Sequence, residues 1–128
     1  MIQAIGVFNE ISFNEWAEKE GLGADRLLKA VMEMRNGLND GDLGAGLFKK
    51  RIRSASKGKR GGLRTLVATN REDRWIFLHG FAKNQKANVT ARELAALKKW
   101  SRHFLQLTPS ELVVAEKIGE LMKVKADD

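Results

Sequence analysis

Three short segments in the middle of the chain, each predicted to be a strand, constrain the fold more than any other feature of the sequence. They are residues 47–53, 63–69 and 74–81, and the third is the clearest because of its aromatic and β-branched side chains. Residues 54–62 and 70–73 join them. Connections this short favour antiparallel neighbours, because a parallel crossover needs about a dozen residues or more. The sequence therefore predicts a meander of three antiparallel strands.

Helical patterns precede these strands. Residues 11–20 are predicted to form a helix, with Ser12 and Asn14 as candidate N-caps. Residues 24–36 carry apolar side chains at helical spacing, and Gly37 follows them at the position where a helix commonly ends in a left-handed residue. The turn-forming residues 39–46 are expected to be a loop before the first strand.

Two further helices are predicted after the strands. Thr90 and Glu93 fit a capping box, and the apolar pattern behind them continues to about Leu107. Pro109 suits the first turn of a last helix, which we expect to run to about Val124. The fold class is therefore α+β: two N-terminal helices, a small antiparallel sheet of three or four strands, and two C-terminal helices over at least one face of the sheet.

Composition narrows the class of protein further. The 128 residues suit one domain, which we expect to span residues 1–128 with a core over 24–107 and an extra C-terminal helix over 108–125. The chain has no cysteine, so disulfides and thiolate metal sites are excluded. It shows neither an apolar run of about 20 residues nor a leader pattern, so we expect no membrane partner and a cytoplasmic location.

Positive charge is concentrated in the middle of the chain. Residues 49–103 hold sixteen Lys/Arg against three Asp/Glu, whereas residues 1–48 hold four against eight and residues 104–128 hold three against five. A cationic block between acidic ends favours a polyanionic partner. The alternative is a solvated basic face that binds nothing.

The most basic stretch is KKRIRSASKGKRGGLR, residues 49–64, with eight cations and no carboxylate. Alternation along a strand places Lys49, Arg51 and Arg53 on one side, and Phe48 and Ile52 in the core. We expect Lys50, on the inward side, to lay its stem on apolar neighbours and extend its ammonium outward. The loop and the next strand add four further cations: Lys57, Lys59, Arg60 and Arg64.

Such a cluster suits RNA cleavage without a metal ion. Attack of a ribose 2′-hydroxyl on the adjacent phosphate builds negative charge on the phosphorane oxygens, and fixed guanidinium and ammonium groups stabilise that charge. A lysine crowded by other cations could also act as a base. The same cluster could instead grip phosphates without cutting, so binding and catalysis both stay open from the residues alone.

Two runs carry a resemblance to a known family: GAGLFKKRIRSASKGKRGGLRTLVA and FLHGFAKNQKANVTARELAALKK. They resemble the RelE-type toxins of bacterial type II toxin–antitoxin systems, and among these a HigB-like, phage-derived branch with KGKRGG-R and GFAKN motifs. The likeness extends from about Gly37 to Leu107. It implies a RelE/ParE-like fold, an antitoxin partner, and ribosome-dependent cleavage of mRNA without a cofactor.

The resemblance also implies roles for individual residues. By position it assigns catalysis to five cations, Lys49, Arg51, Arg64, Lys83 and Lys86, and RNA binding to Arg53, Lys57, Lys59, Arg60 and Asn84. RelE toxins typically carry an arginine just after the third strand and a tyrosine near the end, both catalytic. This chain has Asn84 and Thr90 at the nearest positions and no tyrosine, so its acid and base stay open.

The remaining candidates are interpreted as structural. His79 shares a period of two with Trp75 and Phe77, which favours a partly buried histidine, and His103 suits the C-terminal end of a helix. Two histidines without clustered carboxylates predict no metal site. Five side chains in apolar patterns are expected in the core: Trp16, Trp75, Trp100, Met32 and Met34.

Two other functions fit the same residues. A ParE-type relative would inhibit DNA gyrase without cutting RNA, and a non-catalytic module would bind nucleic acid and release no product. For the toxin interpretation, the partners implied are mRNA, the ribosome and an antitoxin, which we expect to contain a helix-turn-helix motif. An antitoxin that covers the basic face should present acidic or apolar residues. A homodimer or a hetero-oligomer with the antitoxin would be compatible with the sequence.

Overall fold

A computed structural model describes residues 5–53 and 62–126 of the chain. In chain order its elements are β1 (Gly6–Glu10), α1 (Ile11–Lys19), α2 (Ala24–Arg35), β2 (Gly41–Gly44), β3 (Leu47–Ile52), β4 (Leu63–Thr69), β5 (Arg74–Ala82), α3 (Ala91–Gln106), α4 (Pro109–Lys117) and β6 (Leu121–Lys123).

The predicted meander is present as β3, β4 and β5, but the sheet is larger and mixed. Its order is β2-β3-β4-β5-β1-β6, and β1 runs parallel to β5 while the other neighbours are antiparallel. The expected small antiparallel sheet of three or four strands is therefore wrong in size and in direction. The three additional strands are only three to five residues long, too short for a period-two pattern to stand out.

Helices cover both faces of this sheet. One core joins α1 and α2 to the sheet through Phe13, Leu27 and Phe77. The other joins α3 and α4 to the opposite face through Phe104, Ala115 and other buried side chains. The chain thus has three layers, and every central strand is buried on two sides over part of its length.

Hydrogen bonds from backbone amides to capping side chains define where three of the helices begin. α1 begins after Glu10, whose carboxylate accepts hydrogen bonds from two backbone amides, so Ser12 and Asn14 are not its N-caps. The capping box of Thr90 and Glu93 is present, as predicted. A second capping box starts α4 at Thr108.

The C-terminal prediction needs correction. The last helix ends at Lys117 and does not continue to Val124 or to residue 125, because Gly119 takes a left-handed conformation with φ of 81°. The chain then pairs with β1 as the short strand β6. Similarly, the loop expected at 39–46 contains the short strand β2.

Not all of the predicted core residues are buried. Trp75 and Met34 are 1% and 7% exposed, and Trp16 packs partly buried against the same core. Trp100 and Met32 are 44% and 53% exposed, so their assignment to the core was wrong. Both lie on helices, where one face of an apolar pattern remains in solvent.

Candidate nucleic-acid interface

Three cations of the predicted cluster lie on the sheet face that α3 partly covers. The register of β3, β4 and β5 forms two successive cross-strand rows of Cα partners, Lys49–Leu66–His79 and Arg51–Arg64–Phe81. Adjacent strands are about 4.8 Å apart, so each row spans about 10 Å. We name this surface, defined by these two rows, the cationic face.

The two arginines of the cationic face lie directly opposite each other on neighbouring strands. Arg51 and Arg64 are cross-strand partners, and like charges in this arrangement repel. Burial, followed by the charge of Arg51, lowers the pKa of Arg64, while the carboxylate of Asp40 opposes this shift. Asp40 also accepts a hydrogen bond from the backbone amide of Arg51 over 2.7 Å, which fixes the strand edge beside the pair. The arrangement concentrates positive charge at one point of the surface.

The inward-facing cation behaves differently from the prediction. Lys50 is 7% exposed, and its ammonium does not reach outward. It forms an ion pair of 3.0 Å with Glu33 of α2 and donates a hydrogen bond of 2.9 Å to the carbonyl of Leu38. A buried ammonium requires such partners, because desolvation without them is costly. Lys50 therefore ties α2 to β3, and Phe48 and Ile52 are buried beside it, as predicted.

Two lysines in the segment after β5 make contacts that hold this segment in place. Lys83 donates a hydrogen bond of 2.8 Å to the carbonyl of Ala87, and Lys86 forms an ion pair with Glu93 in the first turn of α3. Asn84 is exposed between them. A role for these three residues in RNA binding or cleavage stays a prediction, whereas their contacts show how the segment is fastened to α3.

Glu93 has a strongly perturbed carboxyl group. Hydrogen bonds from Lys86, then from the backbone and side chain of Thr90, lower the pKa of Glu93 to about 2. The same contacts make Thr90 the N-cap of α3, in agreement with the structural interpretation of that residue. The segment after β5 is thus attached to the first turn of α3, the helix that partly covers the cationic face.

This pKa shift predicts a stability effect in acid. The folded state favours the charged carboxylate, so its stabilisation is complete above the usual pKa of 4.5 and is lost as the pH falls towards about 2. Glu93→Gln should therefore lower the free energy of unfolding at neutral pH and differ less from wild type in acid. Urea denaturation at a series of pH values measures the difference. Glu72→Gln, on the exposed turn before β5, is the matched control; an equal response of both variants would contradict the assignment.

Beyond the end of β3, basic residues continue on the α2 side. Arg53 is exposed, and its carbonyl accepts a hydrogen bond from the Arg26 guanidinium. Arg51, Arg53, Arg26 and Lys29 line a cavity of about 540 Å³, together with Glu33 and two apolar residues. Sequence reasoning missed Arg26 and Lys29, although both lie one turn apart on α2 and could have been recognised as one helix face.

The position of His79 also departs from the prediction. The β4–β5 register shifts at Leu66 and Val67, so that Val67 pairs with Phe77 and Leu66 with His79. This β-bulge turns His79 away from the face of Phe77 and onto the cationic face. Its ring is half-buried and lies 6.2 Å from that of Phe81, centroid to centroid. A period of two could not reveal this because the extra residue, Leu78, breaks the alternation.

Three predicted RNA-binding residues, Lys57, Lys59 and Arg60, lie outside the described residues. Within residues 5–53 and 62–126, no group of three His, Asp or Glu side chains is arranged to hold a metal ion. In the same part of the chain, no helix is long and apolar enough to cross a membrane. His103 lies in the last turn of α3, as expected.

Comparison with known proteins identifies the class to which this fold and cationic face belong. The model of the RelE toxin family, described as the toxin of the RelE/RelB toxin–antitoxin system, matches residues 5–124. None of the curated proteins compared with the chain matches it significantly. The chain therefore belongs to the RelE toxin family of type II toxin–antitoxin systems, and the family implies a RelB-type antitoxin as its partner.

Proposed function

We propose that the chain is a ribosome-dependent mRNA endoribonuclease whose cationic face stabilises the transition state of cleavage. The observation that carries this proposal is the cross-strand pair of Arg51 and Arg64, with Lys49 in the adjoining row. A protein gains no stability from two guanidinium groups side by side, but a bound phosphate turns their repulsion into shared attraction.

The proposed reaction needs little beyond positioning and positive charge. The 2′-oxygen attacks the adjacent phosphorus, and the equatorial oxygens of the phosphorane take up negative charge. Guanidinium groups remain charged at all physiological pH values and offer paired donors to such oxygens. Strand pairing fixes the backbone of Arg51 opposite that of Arg64, so both guanidinium groups start from neighbouring points when the charge develops.

The flanking RNA would follow the basic cavity that lies between β3 and α2. Arg26, Lys29 and Arg53 extend positive charge from Arg51 towards α2, and the ribosome would present the mRNA strand to this surface. We further propose that the protein acts in the cytoplasm, where mRNA is translated, and that a helix-turn-helix antitoxin neutralises it. Such an antitoxin would compete with RNA most simply by placing acidic residues on the cationic face.

Mapping of RNA ends in cells that express the chain tests the proposed activity. Translated transcripts should acquire new 5′ ends within their reading frames soon after induction. The matched control is the same transcript with its start codon removed, which should stay intact because the ribosome no longer presents it. Growth arrest with intact transcripts would contradict the proposal. Loss of supercoiling by purified gyrase in that case would indicate the gyrase inhibitor instead.

A further inference from the structure

We propose that His79 accepts the proton of the attacking 2′-hydroxyl, an assignment that rests on the proposed function and names its missing base. The residues nearest to the typical catalytic arginine and tyrosine are Asn84 and the helix cap Thr90. The cationic face supplies positive charge, but a guanidinium cannot take up a proton. The reaction needs a proton acceptor on the same surface.

The location of His79 meets this need. It lies in the row next to the Arg51–Arg64 pair, and a diagonal cross-strand neighbour such as Arg64 is about 7 to 8 Å away by Cα. A phosphate held by Arg64 and the adjacent ribose, which carries the attacking 2′-hydroxyl, would therefore lie at neighbouring positions of the cationic face, with the ribose near His79. The β-bulge brings this ring to the cationic face, because regular alternation would have pointed it into the core of α1 and α2.

The ring is also available for proton transfer. Among the described residues, its ring packs against that of Phe81, and neither imidazole nitrogen has a hydrogen-bond partner. An imidazole that is held by packing but keeps both nitrogens free can receive a substrate proton.

Burial keeps the ring neutral. It is the largest cause that lowers the pKa of His79 below its usual 6.5; among the nearby charges, the carboxylates of Glu93 and Glu10 oppose the shift and the ammonium of Lys86 adds to it. The neutral imidazole needed by a base is therefore the main form near pH 7.

The step balances without a further reagent. The 2′-hydroxyl proton passes to His79, the bond from the 2′-oxygen to phosphorus forms, and the bond from phosphorus to the 5′-oxygen breaks. The leaving 5′-oxygen takes a proton from water and becomes a hydroxyl. The upstream fragment ends in a 2′,3′-cyclic phosphate, and His79 later returns its proton to solvent.

Single-turnover cleavage of mRNA on programmed ribosomes, measured from about pH 5 to pH 9, tests this assignment. For the wild-type chain, the rate should fall as the pH drops through the lowered pKa of His79, because protonation removes the base. His79→Gln and His79→Ala should be slower by about 10²-fold and lose this acidic limb. Added imidazole should restore part of the rate to His79→Ala, which a purely structural role would not permit.

His103→Gln is the matched control, because it removes the other histidine from an exposed position at the end of α3. His103→Gln should keep the wild-type cleavage rate and the wild-type fall of that rate at low pH. If His79→Gln folds and retains the wild-type pH profile, His79 is not the base, although the chain still cleaves RNA. If the wild-type chain does not cleave at all, the proposed function itself is overturned, and the assignment with it.

Discussion

Arg64→Ala is expected to slow mRNA cleavage by about 10²- to 10³-fold, which is the cost of removing one fixed donor to a developing anion. Arg64 lies in β4 opposite Arg51, so its side chain starts from the middle strand of the cationic face. Arg64→Lys should recover only part of the rate, because an ammonium cannot give the paired hydrogen bonds of a guanidinium. Single-turnover rates on programmed ribosomes measure both variants.

Two further variants show whether the effect is local. Arg102→Ala removes an exposed arginine from α3 and should keep the wild-type rate. Arg51→Ala combined with Arg64→Ala should cost less than the sum of the single effects, because both groups would act on one phosphate. Strict additivity of the two substitutions would mean that the arginines do not act on one shared phosphate, and a full rate for folded Arg64→Ala would mean that Arg64 does not serve the reaction.

Phe104→Ala is expected to cost about 3 to 5 kcal/mol of unfolding free energy, a large part of the stability of a domain of this size. Phe104 is fully buried between α3 and the sheet, and its ring contacts those of Trp100 and His103. Its removal leaves a cavity under the helix that covers the cationic face. Denaturant unfolding monitored by circular dichroism measures the change.

The size of this effect should follow burial and not side-chain type. Leu38→Ala removes a large apolar side chain that is 60% exposed, and it should change stability by less than about 0.5 kcal/mol. Phe104→Leu should lie between the two, because it fills most of the cavity. Similar losses for Leu38→Ala and Phe104→Ala would contradict the placement of α3 on the sheet.

The sequence predicted the elements whose signals are local. The strands β3, β4 and β5 were recognised because each is at least six residues long and bounded by a short connection, and α3 because Thr90 and Glu93 form a capping box. By contrast, β1 and β6 exist through pairing between the two ends of the chain. No local pattern encodes such long-range pairing, so a mixed six-stranded sheet could not be derived.

The same distinction applies to the candidate site. Alternation along β3 was sufficient to place Lys49 and Arg51 together, whereas only the register with β4 shows that Arg64 lies directly opposite Arg51. The partner of Lys50 could not be anticipated either, because Glu33 comes from a separate helix. The basic stretch 49–64 thus supplies both the surface pair of Arg51 and Arg64 and the buried Lys50, which pairs with Glu33. Composition alone does not distinguish these two roles.

The bulge in β5 has the largest consequence for function. With regular alternation, His79 would share a face with Phe77, and a histidine there would be part of the core. One extra residue reverses its direction and adds a titratable group to the cationic face. Bulges commonly redirect a side chain in this way next to active sites, and a sequence pattern alone does not reveal them.

The structure of the chain on a ribosome with an uncleavable mRNA, in which the 2′-hydroxyl of the cut site is replaced by hydrogen, provides the most direct test. One phosphate should lie within hydrogen-bonding distance of both Arg51 and Arg64, with the adjacent ribose facing His79. An mRNA strand that passes over another surface, or phosphates that contact the two arginines separately, would contradict the proposal that the cationic face acts on a single phosphodiester.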